Sequence, residues 1–337
     1  MFNLFPRQYP KPKRSVVALV LGIFLVGCSP GEPPIDGWEV ASRGLYSASL
    51  SDDAKYLVVG SVMHGGSLWD LSSKERLYNW NHTKKGFSNL SSVDISADGR
   101  FAVTAEGSTL VLWSIIDGAP SGFWSAPGEI VDVALSSDGH YALLGLANYS
   151  AVYFDIKNGG VVRTLFHKGR VTSVDLSLDD RYALTGSEDN DAIIWDVESG
   201  EQLQVHHHDR PVQLVALSPD GSRAFSFAKY DGALIWNSET GETVFELPMT
   251  ISERQFGAEY SGAKFSSRDP ALILLGNNHR GVELWNYTQK VKKGSWEAQK
   301  KEVTQLASGA AILDLAFDGS AGGFFAITSD GMVQQFK

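Results

Sequence analysis

Through most of this chain, short runs of apolar residues alternate one-for-one with polar ones and are cut off by clusters of Gly, Asp, Asn and Ser. A period of two marks a strand with one buried face, and the clusters mark tight turns. The clearest stretch is SVDLSLDDRYALTGSEDNDAIIWD, from Ser173 to Asp196. It reads as an alternating strand, a turn at Asp179-Asp180, a second strand from Tyr182 to Gly186, a polar turn, and a third strand from Ala192 to Trp195. The same frame returns from Ser92 (SVDISADGRFAVTAEG, ending at Trp113), from Asp132 (DVALSSDGHYALLG, ending at Phe154) and from Leu214 (LVALSPDGSRAFSF, ending at Trp236). Looser copies end at Trp69, Trp285 and Phe336. No long amphipathic helix is predicted.

The closing aromatics set the period. Their successive separations are 44, 41, 41, 41, 49 and 51 residues. A blade of four strands takes about 40–45 residues, and loops absorb any excess, so insertions are expected around the sixth and seventh copies. A fourth strand-like segment follows each aromatic except the last: Arg76 to Trp80, Gly122 to Ser125, Val161 to Phe166, Gln202 to His206, Thr243 to Leu247 and Val291 to Trp296.

Several residues give the repeat a familiar form. Trp69-Asp70 and Trp195-Asp196 are joined by the variants Phe154-Asp155, Trp236-Asn237 and Trp285-Asn286. His167 lies four residues before Val171 and His208 four before Val212. Asp189 and Asp330 each lie six before a closing aromatic. Over roughly residues 37–337 the chain resembles WD-repeat (WD40-type) propellers. The resemblance implies an all-β fold, a seven-bladed β-propeller of four-stranded antiparallel blades. It also implies that Gly37 to Ala41 pairs with Met332 to Phe336, supplying the last blade's missing strand and closing the ring. In the fourth blade alone, His167, Thr185, Asp189 and Trp195 match the family's structural tetrad; Met63, Tyr230 and Ala126 stand where other blades should carry Asp or His. The aromatics are expected to pack between adjacent blades.

The N-terminus has a different pattern. Arg7, Lys11, Lys13 and Arg14 precede an uncharged apolar run, Val16 to Val26. Such a run spans roughly 16 Å as a helix, too short for a ~30 Å hydrocarbon core and typical of a signal-peptide core. It ends in Leu25-Val26-Gly27-Cys28, which resembles the lipobox of bacterial lipoproteins and uses the chain's single cysteine. Residues 1–27 are thus expected to be a signal peptide, Cys28 the lipidated residue, 28–36 a short Pro-rich tether and 37–337 the propeller. In the lipoproteins this resembles, an Asp after the cysteine often holds the protein at the inner membrane, so the resemblance implies that Ser29 points to the outer membrane, facing the periplasm.

Charge narrows the partners. The whole chain carries −10; four of its 29 basic residues and none of its 39 acidic ones precede position 28, so the mature part would carry about −14. Such a surface repels nucleic acid and anionic membrane faces as a whole. No catalytic constellation is expected. Three consecutive imidazoles at His206, His207 and His208 cannot converge from one strand, and His208 has a place in the repeat. Asp98, Asp138, Asp179, Asp180 and Asp220 occupy repeated turns. The one G-x-S-x-G match, Gly27 to Gly31, straddles the lipobox. No metal or cofactor is expected.

Two functions are weighed. The preferred one is a monomeric, non-catalytic platform, anchored through Cys28, that binds a protein partner on the face shared by the loops between blades and the turns between second and third strands. Met63, His64, Lys84, Lys85, Tyr149, Asn190, Tyr230, Asn278, His279 and Arg280 are the candidates there. The alternative is an enzyme or small-ligand binder using the central channel. The inner strands read as mostly Ser, Ala, Val and Leu, which counts against it; a clustered set of carboxylates with shifted pKa at one channel mouth would reverse the preference.

Overall fold

The computed structural model describes residues 31–249, 257–301, 310–319 and 322–337. Residues 1–27, expected to be a signal peptide, and Cys28 lie outside the described residues. From Gly31 onward the chain builds a ring of seven antiparallel sheets with four strands each. The strand β1 (Asp36–Glu39) comes first. Blade one is β2 (Leu45–Leu50), β3 (Tyr56–Ser61), β4 (Gly65–Asp70) and β5 (Glu75–Trp80). Blade two is β6 (Ser92–Ile95), β7 (Phe101–Glu106), β8 (Thr109–Ser114) and β9 (Pro120–Ser125). Blade three is β10 (Ile130–Leu135), β11 (Tyr141–Leu146), β12 (Ser150–Asp155) and β13 (Val161–Phe166). Blade four is β14 (Val171–Leu176), β15 (Tyr182–Ser187), β16 (Asp191–Asp196) and β17 (Gln202–His207). Blade five is β18 (Val212–Leu217), β19 (Arg223–Ala228), β20 (Gly232–Asn237) and β21 (Thr243–Glu246). Blade six is β22 (Tyr260–Phe265), β23 (Leu272–Asn277), β24 (Gly281–Asn286) and β25 (Val291–Glu297). Blade seven is β26 (Ile312–Phe317), β27 (Phe324–Thr328) and β28 (Met332–Phe336), completed by β1.

The expected closure is present. Asp36, Gly37, Trp38 and Glu39 pair antiparallel with Gln335, Gln334, Val333 and Met332. The strand sits one to two residues earlier than Gly37 to Ala41, because Val40 and Ala41 instead donate their N–H groups to Gly331 O at the turn before β28. Part of the expected tether is paired as well. Glu32 forms a parallel bridge to Trp296 on β25, and Ile35 N–H donates to Gln335 O at 2.8 Å. Within 28–36, the stretch from Glu32 on is therefore part of the ring's edge.

The turn between first and second strands explains the repeated Ser-x-Asp. In blade two Ser96 Oγ donates to Asp98 Oδ1 at 2.7 Å and accepts from the Phe101 N–H at 3.0 Å. Ser136 with Asp138, Ser177 with Asp179 and Ser218 with Asp220 repeat the arrangement. These carboxylates hold backbone donors in a hairpin, as the turn reading expects. The long aromatic intervals coincide with the stretches from Glu246 to Tyr260 and from Glu297 to Ile312, parts of which lie outside the described residues.

The core lies between blades. The described residues form seven apolar clusters, each shared by two neighbouring blades, and each holds one closing aromatic. Trp236 is fully buried between blades four and five, and Trp113 stacks on Trp80 of blade one with centroids 5.1 Å apart. Close approach needs small residues on the second strand. A Cβ on Gly186 would lie 2.7 Å from Val212 Cγ1 and 2.8 Å from Val215 Cγ1 of the next blade. Both valines are buried on a strand pinned by its own hairpin, so they cannot retreat freely. Gly186→Ala is expected to destabilise the ring by about 1–3 kcal/mol through overpacking, read as a lower midpoint in urea with an unchanged slope.

Candidate functional site

Inside blade four the structure brings the four tetrad residues into one chain of hydrogen bonds. Trp195 Nε1–H donates to Thr185 Oγ1 at 2.8 Å. Thr185 Oγ1 lies 2.7 Å from His167 Nε2, and His167 Nδ1 lies 2.9 Å from Asp189 Oδ2. The tautomer with hydrogen on Nδ1 satisfies every group: the threonine hydroxyl donates to Nε2 and the imidazole donates to the carboxylate. Acid, imidazole and hydroxyl come in the order of a charge relay, but Thr185 has no exposed surface, so no substrate reaches its oxygen. The chain is a brace.

The brace is not confined to blade four. In blade five His208 contacts Asp231 Oδ2 at 2.9 Å and Ser226 Oγ at 2.8 Å, and Trp236 Nε1 donates to the same hydroxyl. The aspartate is one residue later than the repeat frame expects, with Tyr230 in the framed position. In blade two His82 contacts Thr104 Oγ1 at 2.8 Å, Trp113 donates to that oxygen, and Thr109 stands in for the aspartate. His82 escapes the repeat frame because a long connecting loop separates it from β6. Burial lowers the pKa of His82 and of His208, keeping both neutral for this role. The neighbouring imidazoles part company: His206 stacks on Trp236, and His207 pairs with Asp191 at 2.7 Å. Among the described residues, no three His, Cys, Asp or Glu side chains are grouped to hold a metal.

The turns between second and third strands share one face with the loops between blades, because every strand reverses direction. Each of the seven turns holds one residue in the left-handed region. Gly107 and Gly331 do so at φ 60° and 89°, Asn190 at 77°. Met63, Tyr149, Tyr230 and Arg280 do so at 62°, 69°, 66° and 68°. A side chain with a Cβ costs roughly 1–2 kcal/mol there, and glycine or asparagine avoids most of that cost. Yet Met63, Tyr149 and Tyr230 stand 55%, 56% and 61% exposed, Met63 Sδ accepting from Arg43 at 2.9 Å and the Tyr230 ring lying under Lys229. His64 is exposed and stacks on Phe87 of the next loop, centroids 5.5 Å apart. Phe87 is itself 60% exposed, and the repeat pattern gives no sign of it. Lys84 and Lys85 are exposed in the same loop. Not every candidate is available. Arg280 Nη2 donates to Glu297 at 2.8 Å, and Asn278 ties the Glu259 N–H and the Gly257 carbonyl together; His279 is exposed beside it.

The channel differs from expectation. Inner strands carry Asp94, Asp132, Asp175, Asp314 and Lys264, all lining a cavity of about 260 Å³ together with Asp52. Burial pushes Asp94 up to about 7, Asp175 and Asp314 up to about 6, and Asp132 upward. The pull of Lys264 lowers Asp52, 2.5 Å away. Burial alone would lower Lys264, but Asp52, Asp314 and Asp175 together raise it. The carboxylates are engaged by protein. Asp94 Oδ2 accepts from the Leu135 N–H at 2.7 Å, Asp132 Oδ2 from Val174 at 2.9 Å, Asp175 Oδ2 from Leu217 at 2.7 Å. Asp314 Oδ2 accepts from the Leu50 N–H at 2.7 Å. Each acid serves an otherwise open donor on the next blade's innermost strand. The second oxygens of Asp94 and Asp132 accept from Ser49 and Ser92. The sequence pattern hides these acids because they alternate between two inner-strand positions from blade to blade.

Comparison with known proteins adds one finding: the WD domain, G-beta repeat family matches residues 159–196, which take in β13 of blade three and β14, β15 and β16 of blade four. That match and the seven-bladed ring together support a WD40-type β-propeller. No curated protein sequence matches the chain.

The acids make stability depend on pH. Their folded pKa values lie above the ordinary carboxylate range, so the stability present when they are protonated is lost as pH rises through about 6 to 7. Asp52 acts oppositely, losing its contribution only at acid pH. The melting temperature is expected to fall between pH 5 and pH 8, and Asp94→Asn, whose amide can still accept from Leu135, to shrink that fall. Thermal melts at the two pH values check this.

Proposed function

We propose that this protein is a non-catalytic platform, held at the bacterial envelope by a lipid on Cys28, that captures a protein partner on its strained-turn face. The observation that carries the reading is the placing of Met63, Tyr149 and Tyr230 in left-handed turns where they stay exposed. Strain kept at a solvent-facing tip points to function. Aromatic residues on a rigid hairpin lose little entropy on binding and are typical anchors of interfaces. His64 and Phe87 extend the same apolar region across the first inter-blade loop.

The channel reading has a specific observation in its favour, the upward-shifted carboxylates. Against it, the oxygens a ligand would need already accept backbone and serine donors within the ring. The anchor is supported by the basic residues, apolar run and Leu25-Val26-Gly27-Cys28 pattern of the N-terminus, and Ser29 favours the outer membrane facing the periplasm. The mature ring is proposed to act as a monomer, without a cofactor and without nucleic acid.

The turn strain gives this reading a separable test. Replacing Tyr149 and Tyr230 by glycine relieves roughly 1–2 kcal/mol each while adding about 0.5–1 kcal/mol of unfolded-chain entropy. The double variant is expected to melt no lower than the parent. In a crosslinked pull-down from envelopes it is expected to retain at least about tenfold less of the parent's partner. Equal retention would count decisively against this face.

A further inference from the structure

The chain is acidic as a whole, but residues 290–301 carry five lysines against one glutamate. They occupy both ends of β25, the outermost strand of blade six. Lys290, Lys292, Lys293 and Lys300 are exposed. Lys292 lies over Trp285 and pairs with Glu283, and Lys301 pairs with Glu39. Lys290, Lys293 and Lys300 make no ion pair among the described residues. Glu297 is engaged by Arg280 and Glu39 by Lys301, and Glu32 is a further exposed acid on this edge among the described residues. Val291 and Ile35 add exposed apolar surface, at 47% and 62%.

This is also the strand to which the N-terminal segment is fastened. Glu32 N–H donates to Ser295 O at 3.0 Å and Glu297 N–H donates to Glu32 O at 3.1 Å. Gly31 approaches so closely that a Cβ there would lie 2.5 Å from the Trp296 carbonyl carbon. Cys28 is three residues before Gly31. Whatever path they take, three residues span at most about 11 Å, comparable with the ~10 Å screening length at moderate salt. A lipid on Cys28 would therefore hold this edge within reach of headgroup charge.

We propose that the β25 edge of the ring, with Lys290, Lys293 and Lys300, lies against anionic phospholipid headgroups and sets the disk on its rim. The proposal rests on the reading of Cys28 as the lipid-bearing residue. Charge complementarity and the short free chain favour lipid as the occupant. The strained-turn face is then left pointing along the membrane plane, open to a partner beside it.

The test uses the full protein, purified from membranes and reconstituted in phosphatidylcholine vesicles with or without phosphatidylglycerol. Cys28 is the chain's only cysteine, so once it is acylated a new thiol can be labelled alone. Ser295→Cys places a fluorophore on β25, and Thr164→Cys places one on β13, across the ring. With a spin-labelled headgroup as quencher, the label at 295 is expected to be quenched at least about twofold more than the label at 164 when phosphatidylglycerol is present. Reversing the three lysines (K290E, K293E, K300E) should abolish the part of the difference that phosphatidylglycerol adds. Equal quenching at the two sites, or a phosphatidylglycerol-dependent difference that survives the reversal, overturns the proposal with the anchor intact. A mass spectrum of the mature chain without acyl mass on Cys28 overturns the anchor reading and the proposal together.

Discussion

Four backbone positions near the start of the described chain, Asp36–Glu39, are hydrogen-bonded to Met332–Gln335 near its end, and the rest of the molecule depends on that pairing. A propeller has no central core. Its apolar surface is divided among seven interfaces, and each blade has one neighbour on either side to cover it. Without β1, blade seven would present an open strand edge, and the apolar cluster it shares with blade one would lose Trp38.

The same circularity explains the buried acids. The innermost strand of each blade faces the channel with no further strand beyond it, so some of its N–H groups need another acceptor. Asp94, Asp132 and Asp175 each reach forward to the next blade, and Asp314 reaches across the closure to Leu50 N–H. These contacts couple the blades in one rotational sense. Burial raises the acids' pKa values, a cost that hydrogen bonding offsets only in part. The channel is therefore polar and braced from within. The turns on one face answer to different constraints, since Met63, Tyr149 and Tyr230 hold left-handed positions there while more than half exposed.

Much of this architecture is legible in the chain. Strand alternation, Ser-x-Asp turns and evenly spaced aromatics define seven units, and the segment around Trp38 can join only blade seven. The features that stay hidden have identifiable causes. Asp231 braces His208 from one place later than the repeat frame because Tyr230 occupies the turn's left-handed position. His82 escapes notice behind a long loop. The channel acids alternate between two positions, so no single column of the repeat shows them. The ten candidate surface residues do share a face, but the pattern cannot tell that Arg280 and Asn278 are occupied, or that Phe87 joins His64. Nor can it show that Glu32 is fastened to β25, since one isolated bridge leaves no periodicity.

Native-state hydrogen exchange coupled to mass spectrometry tests the closure most directly. The amides of β1 and β28 should exchange as slowly as those of β15 in blade four, and through the same global opening. Rapid exchange of Met332–Gln335 while β15 stays protected would show an open ring and contradict the account.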